Sequence, residues 1–436
     1  MSLEGGTGGA EPRGGGPRRP RGGALGSGIV APLLAVVGLI VITLGSIYVI
    51  SIFPLTTGSA PATPTLGPGQ TEGPPPVVAP PSANPSVVVT PPPDLRPTIK
   101  GTLLFARTGN IWAASGLSLT QISNQGTDSD PVWSPDGQKI YFLAALEKVA
   151  QPPWGGSVGN ASKYTFDYQN IDSMSADGTS RKQIYNAYFK SGGGFWFTTI
   201  AQPDISPDGQ TLAFVSDGGY VPNNSNVQDF GPVVLYTMPA AGGKLQNLNI
   251  RNQNGLGHND PAWSPDGTQI AFTFNGKQGA TGAPRIGLYT VATHKLTLLP
   301  PKGYADPSWS SDGRYIAAEQ TTGNGRDIVV LDPRTGAEIA QLTNDGNSFG
   351  PTFSPNGDQI AYLHRQNLGV DLRVLTLDLS SGSITLVKDQ PITQDGSLDP
   401  TSRAAWFIPT DQRTTPSSGP STSQGPLPSA GASTTP

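Results

Sequence analysis

The chain has 436 residues, with 56 Gly, 44 Pro, 13% charged residues and no Cys. So much breaker residue excludes helical bundles and doubly wound α/β folds, and 27 Lys and Arg against 31 Asp and Glu, a net charge of -4, give none of the cationic clustering that a nucleic-acid surface needs. Without Cys there is no disulfide, thiolate nucleophile, Cys-type zinc site or lipidated N-terminal cysteine, and three His (His258, His294, His364) leave little for imidazole chemistry.

Residues 1–28 hold eleven Gly and four Arg without apolar periodicity, the composition of a disordered basic tail. Residues 29–53 are uncharged and apolar, and 25 residues at 1.5 Å each span a hydrocarbon core of roughly 30 Å. The segment reads as one retained transmembrane helix rather than a signal peptide, whose apolar region runs to about 7–15 residues. Arg13, Arg18, Arg19 and Arg21 precede it and no basic residue follows until Arg96, so the positive-inside rule puts the N-terminus in the cytoplasm and the rest outside. Residues 54–98 form a Pro-rich stalk, with fourteen Pro between Pro54 and Pro97. Extended at about 3.1 Å per residue, it would reach roughly 140 Å. Residues 409–436 return to Ser, Thr, Pro and Gly and read as a second disordered tail, which leaves residues 99–408 to build a core.

Within that window a pattern recurs five times: DPVWSPDGQKIYF from Asp130, QPDISPDGQTLAF from Gln202, DPAWSPDGTQIAF from Asp260, DPSWSSDGRYIAA from Asp306 and GPTFSPNGDQIAY from Gly350. Ser, Pro or Ser, Asp or Asn, and Gly in succession suit a type I turn. Each copy therefore predicts a hairpin, with a short strand ending on Trp133, Trp263, Trp309 or Phe353 before the turn and an alternating apolar strand after it. Two more strands follow in each unit. The later units repeat every 44–46 residues, the length of a propeller blade. Residues 101–123 read as second to fourth strands without a first, and residues 399–409 as a first strand without a sequel. Joined, they make a sixth blade, so the expected fold is an all-β six-bladed propeller of four-stranded blades closed by both chain ends.

These residues resemble the WD40-like propeller repeat of the bacterial TolB type, whose signature is P-x-W-S-P-D-G followed by an I-A-F strand. The resemblance covers essentially all of residues 99–408. It implies an extracytoplasmic protein-binding platform, while related propellers gate the catalytic domains of some serine peptidases. The sequence departs from TolB in carrying an anchor and stalk where TolB has an α/β domain, so that family's partners do not carry over.

Two groups of residues are candidates for function. The length excess of blades one to three falls at residues 145–169, 186–200, 218–230, 251–259 and 275–283, all on one face in the propeller scheme, where binding loops concentrate. Those inserts hold Trp154, Tyr164, Tyr168, Tyr188, Phe189 and Trp196, aromatics suited to anchoring a protein or glycan, or else to packing the loops onto the blades. The second group is the acid before Pro at the start of the innermost strand: Asp130, Asp260, Asp306 and Asp399. Four carboxylates at the channel mouth would hold a cation or a basic side chain, or would accept backbone N–H groups in local turns. The Asp or Asn of each S-P-D-G turn is read as structural.

No G-x-S-x-G, H-E-x-x-H, Walker loop or dinucleotide fingerprint occurs, and no catalytic residue, metal or cofactor is expected. The sequence reading is a monomeric single-pass envelope protein that displays a protein- or glycan-binding propeller. A glycosidase or lyase using the channel-mouth acids, and a purely structural envelope spacer, are the alternatives.

Overall fold

The computed structural model describes residues 97–150, 164–191, 194–219, 233–250, 257–275, 283–366, 369–380 and 383–414. The expected tail, membrane helix and stalk lie outside these residues, and no helix among the described residues is long and apolar enough to cross a membrane.

Six four-stranded antiparallel sheets form the fold, each a meander from the inside outward. Blade one comprises Asp128–Trp133, Lys139–Ala150, Tyr164–Ser175 and Lys182–Tyr185; blade two Ile200–Ile205, Thr211–Ser216, Val234–Pro239 and Gln246–Asn247. Blade three comprises His258–Trp263, Gln269–Phe274, Arg285–Thr290 and Lys295–Leu298; blade four Tyr304–Trp309, Ile316–Thr322, Gly325–Leu331 and Glu338–Gln341. Blade five is Ser348–Phe353, Gln359–Gln366, Gly369–Asp378 and Thr385–Pro391. Blade six is closed by the chain ends: Ala405–Phe407 from the C-terminal side lies inside Ile99–Arg107, Asn110–Gly116 and Ser118–Gln121.

The S-P-D-G segments are the inner hairpin turns. In blade one Gly137 N donates to Ser134 O at 2.8 Å, and Ser134 N donates to Lys139 O at 2.9 Å. The Ser134 hydroxyl donates to Asp136 Oδ1 at 2.6 Å and accepts from Lys139 N at 2.9 Å. The same Ser-to-Asp bond recurs in blades two, three and four. Blade five has Asn356 in the acid's place, and there Ser354 turns to Asp358 instead. Gly137 has φ of 69°, and an added Cβ would run into the Phe407 ring, so the turn needs glycine both for its conformation and for its packing on blade six.

Alternation along the second strand of each blade builds the core, because successive side chains leave opposite faces of a strand. In blade one Ile140 and Phe142 pack toward blade six with Leu104 and Ile111. Tyr141 and Leu143 pack toward blade two with Leu212 and Phe214. Six such clusters fill the six seams between neighbouring blades. Each buried Phe in them removes from water an area worth about 1.5–3 kcal/mol.

The C-terminal boundary differs from the sequence reading. Residues 410–412, assigned above to a disordered tail, form a 3-10 turn. Arg413 Nε donates to Ile408 O at 2.8 Å and Thr414 N to Asn356 Oδ1 at 3.0 Å. Composition indicated disorder, but two hydrogen bonds to the propeller hold these residues.

Candidate functional site

The innermost strands of blades one to five carry a register shift near their start, between residues such as Ser129 and Val132 or Asn259 and Ala262. The bulged residue just before Pro takes a left-handed conformation: Asp130 (φ 50°), Gln202 (54°), Asp260 (53°), Asp306 (49°) and Gly350 (62°). Asp and Gly tolerate this region, whereas Gln202 holds it at a cost of roughly 1–2 kcal/mol. Each of the five stands three residues before the aromatic or Ile that ends its strand.

In blade six Trp406 pairs with Leu103 as Trp133 pairs with Ile140, and Leu103 feeds the preceding seam as Ile140 does. Counting back three residues gives Arg403, not Asp399. The ring around the channel is therefore Asp130, Gln202, Asp260, Asp306, Gly350 and Arg403, and all six line a cavity of about 310 Å³. Asp399 lies just outside, where its Oδ1 accepts from Thr401 N at 3.0 Å in a local turn. The Asp-Pro dipeptide at 399–400 had suggested equivalence, but extra residues between it and Trp406 displace it from the ring.

Arg403 reaches across the channel. Its Nη1 donates to Asp306 Oδ1 at 3.0 Å and to Pro307 O at 2.9 Å, and its Nη2 donates to Pro261 O at 3.1 Å. Gly350, between blade six and blade four, has no side chain to block this path. Asp260 accepts from Gln202 Nε2 and, at 3.1 Å, from Thr273 Oγ1. Asp130 Oδ2 accepts from Ser129 Oγ at 2.9 Å, and its own N–H donates to Ser402 Oγ at 2.8 Å. The acids thus bond to side chains, and the positive partner at the centre comes from the chain's own last blade. Among the described residues no group of three or more His, Asp or Glu converges as metal ligands.

Burial sets the electrostatics. Taking Asp130 out of water, with the Asp399 charge nearby, pushes its carboxyl up to about 7. Burial first and Asp306 second raise Asp260 well above the usual carboxylate range. Burial likewise raises Asp306, though Arg403 and Arg326 oppose it. Two acids behind the ring extend the cluster. Asp204 is raised by burial and accepts from Trp263 N at 2.6 Å. Glu319 is raised by burial against the pull of Arg326, which binds it at 3.1 Å. For Arg403 burial works against the charge, but Asp306, Asp204 and Asp260 outweigh it.

The second group of candidates lies in two β-hairpin arms rather than in irregular loops. The second and third strands of blade one stay paired from Ala145 and Gln169 out to Ala150 and Tyr164. Between blades one and two, Tyr188–Ser191 pairs with Gly194–Phe197, setting Phe189 opposite Trp196. The arms touch: the Tyr168 and Tyr188 rings are 6.2 Å apart, and Lys148 Nζ sits 4.1 Å from the Tyr188 ring centre. Phe189 packs against Gly219 of blade two. Tyr168, Tyr188, Phe189 and Trp196 are all half-buried, while Leu146 (40%) and Val149 (63%) on the first arm stay exposed. Trp154 lies outside the described residues. In an antiparallel meander both arms leave from the end of the blades that carries the ring.

Sequence reasoning missed Arg403, Asp204 and Glu319. Counting back from Trp406 would have found Arg403. For the other two, only the packed structure shows that Asp204 lines the cavity and that Glu319 is buried against Arg326.

Residues 194–397 match the family model described as the TolB beta propeller domain. Protein TolB homolog of Chlorobium luteolum is 27% identical over 174 residues, 40% of this chain and 37% of the relative. Tol-Pal system protein TolB of Francisella tularensis subsp. mediasiatica is 24% identical over 215 residues, 49% of this chain and 46% of the relative. The chain spans less than half the length of these relatives. The crystal structure of TolB from Acinetobacter baumannii superposes with a TM-score of 0.48 at 18% identity, covering 70% of this chain and 66% of that one.

Proposed function

Because its propeller belongs to the TolB-type repeat family, we propose that the chain is a membrane-anchored, extracytoplasmic protein-binding module of the cell envelope. Residues 29–53 are its anchor and residues 54–98 its stalk. Curated relatives carry the name Tol-Pal system protein, which favours a protein partner over a glycan. One observation carries the reading: among the described residues, two aromatic hairpin arms leave the same end of the blades, beside the channel mouth. Tyr168, Tyr188, Phe189 and Trp196, with Trp154 and Tyr164 in the same inserts, form the contact surface, and Asp130, Asp260, Asp306 and Asp399 border it. An enzymatic reading gains no support from the acids, since Asp306 is bound by Arg403 and Asp260 by Gln202 and Thr273.

Photocrosslinkers at Glu147 and Lys190 of the full chain in intact cells test the proposal. A discrete protein adduct should form and fall at least fivefold in Tyr188→Ala and Trp196→Ala chains whose thermal unfolding is unchanged. An adduct indifferent to both substitutions, or none, rejects the binding face. Protease added to whole cells should remove the propeller, and its protection would reverse the orientation.

A further inference from the structure

The arm that prolongs blade one outruns the strands on either side of it. The innermost strand, Asp128–Trp133, pairs with Lys139–Ala150 only as far as Asp128 and Ala144, and one further bond runs from Ala145 N to Thr127 O at 2.8 Å. On the outer side Lys182–Tyr185 pairs with Tyr164–Ser175 only at residues 171–173. The ladder inside the arm nevertheless continues to Ala150 and Tyr164. A strand residue points its N–H and C=O to the same side, and the side alternates along the chain. Ala145 faces the inner strand, so Glu147 and Val149 face that way too, and beyond Ala145 no strand among the described residues pairs with that edge.

The two faces of the arm differ. Lys148 and Tyr168 carry the face against which Tyr188 of the second arm packs. The other face sets Glu147 opposite Asp167 and Val149 opposite Thr165, and all four are exposed. Glu147 and Asp167 exchange no backbone bonds, so they form the closer of the two kinds of antiparallel pair, and like charges placed opposite each other destabilise a sheet. The acids, the exposed valine and the open edge call for one complement: a strand that brings backbone partners, a cation and an apolar side chain.

We propose that residues 145–150 are a strand-addition site. An extended segment of the partner protein pairs with this edge beside the channel mouth, with Lys or Arg next to Glu147 and an apolar residue two positions along next to Val149. Strand addition deepens the contact surface proposed above and rests on that reading. Main-chain bonds supply affinity, and alternate side chains supply selection. A second copy of this chain is the wrong occupant, because pairing two such edges gathers Glu147 and Asp167 from both copies on neighbouring strands. A basic strand relieves the repulsion already there.

Proline separates backbone from side chain in the test. Val149 N–H points away from Tyr164–Ser175, so Val149→Pro removes an edge donor without breaking the arm's own ladder, whereas Val149→Ile keeps the donor and the apolar surface. Photocrosslinkers at Thr165 and, separately, at Lys190 of the full chain in intact cells report on the two arms. The Thr165 adduct should hold a partner segment with the basic and apolar alternation. It should fall at least ~fivefold in Val149→Pro and in Glu147→Lys and stay within ~twofold in Val149→Ile. Thermal unfolding checks each variant, and if Val149→Pro unfolds early, Glu147→Lys decides. Equal adducts from all variants, equal loss in Val149→Pro and Val149→Ile, or an adduct of two copies of this chain overturns strand addition. If the Lys190 adduct then still depends on Tyr188 and Trp196, the binding face stands without it. If neither position yields an adduct, both fall.

Discussion

The two ends of the propeller use the same side chain under opposite conditions. At the turn end Asp136, Asp208 and Asp266 accept from a Ser hydroxyl and a backbone N–H, and these bonds hold their carboxyls below the usual range. At the channel end Asp130, Asp204, Asp260 and Asp306 are half-buried around a single arginine, and partial removal from water drives them up. Residue type does not separate the two sets. The donors in reach do, which is why one set shapes a turn and the other is held above the ordinary carboxylate range.

The most severe way to break this contrast is to remove the cation at the channel end. Arg403→Met leaves half-buried Asp306 without its partner and is expected to cost about 2–3 kcal/mol at neutral pH. Urea unfolding would measure this, and part of the loss should return as pH falls, because protonating the orphaned carboxyl removes its charge. A deletion at the turn end should cost less. Ser264→Ala strips Asp266 Oδ1 and Gln269 N of a partner and is expected to cost about 1–2 kcal/mol, with no recovery in mild acid.

The smallest effect separates the two ends by pH alone. The turn acids favour the fold above their ordinary range, and that contribution disappears only as pH falls below about 4. Asp130, held up to about 7, favours the fold at low pH and loses that contribution as pH rises toward and past 7. His258, buried and held down to about 4, acts oppositely up to its ordinary 6.5. Above 6.5 the channel acids are left unopposed, so stability from urea titrations should fall by about 1 kcal/mol between pH 6.5 and 8. A flat profile there would remove the distinction between the ends.

The blades were legible because their information is local and repeated. Ser134, Asp136 and Gly137 specify a turn within four residues, and the alternation at Ile140, Tyr141 and Phe142 specifies which seam each side chain fills. The channel is assembled from residues far apart in sequence, and its central residue stands where the repeat is broken. Arg403 replaces an acid in a blade that has lost its Pro and its bulge, so comparing copies pointed to Asp399 instead. The arms were legible as aromatic insertions but not as hairpins, because the pairing of Tyr188–Ser191 with Gly194–Phe197 spans a segment too short and glycine-rich to alternate clearly.

The position of Ile99–Arg107 has a mechanical consequence. This first described strand is not an edge: it is flanked by Ala405–Phe407 on one side and Asn110–Gly116 on the other. A load applied along the chain from its N-terminal side must shear two hydrogen-bonded ladders at once instead of unzipping one. Blade six would then take up tension as a clamp, while the five repeats behind it stay unloaded.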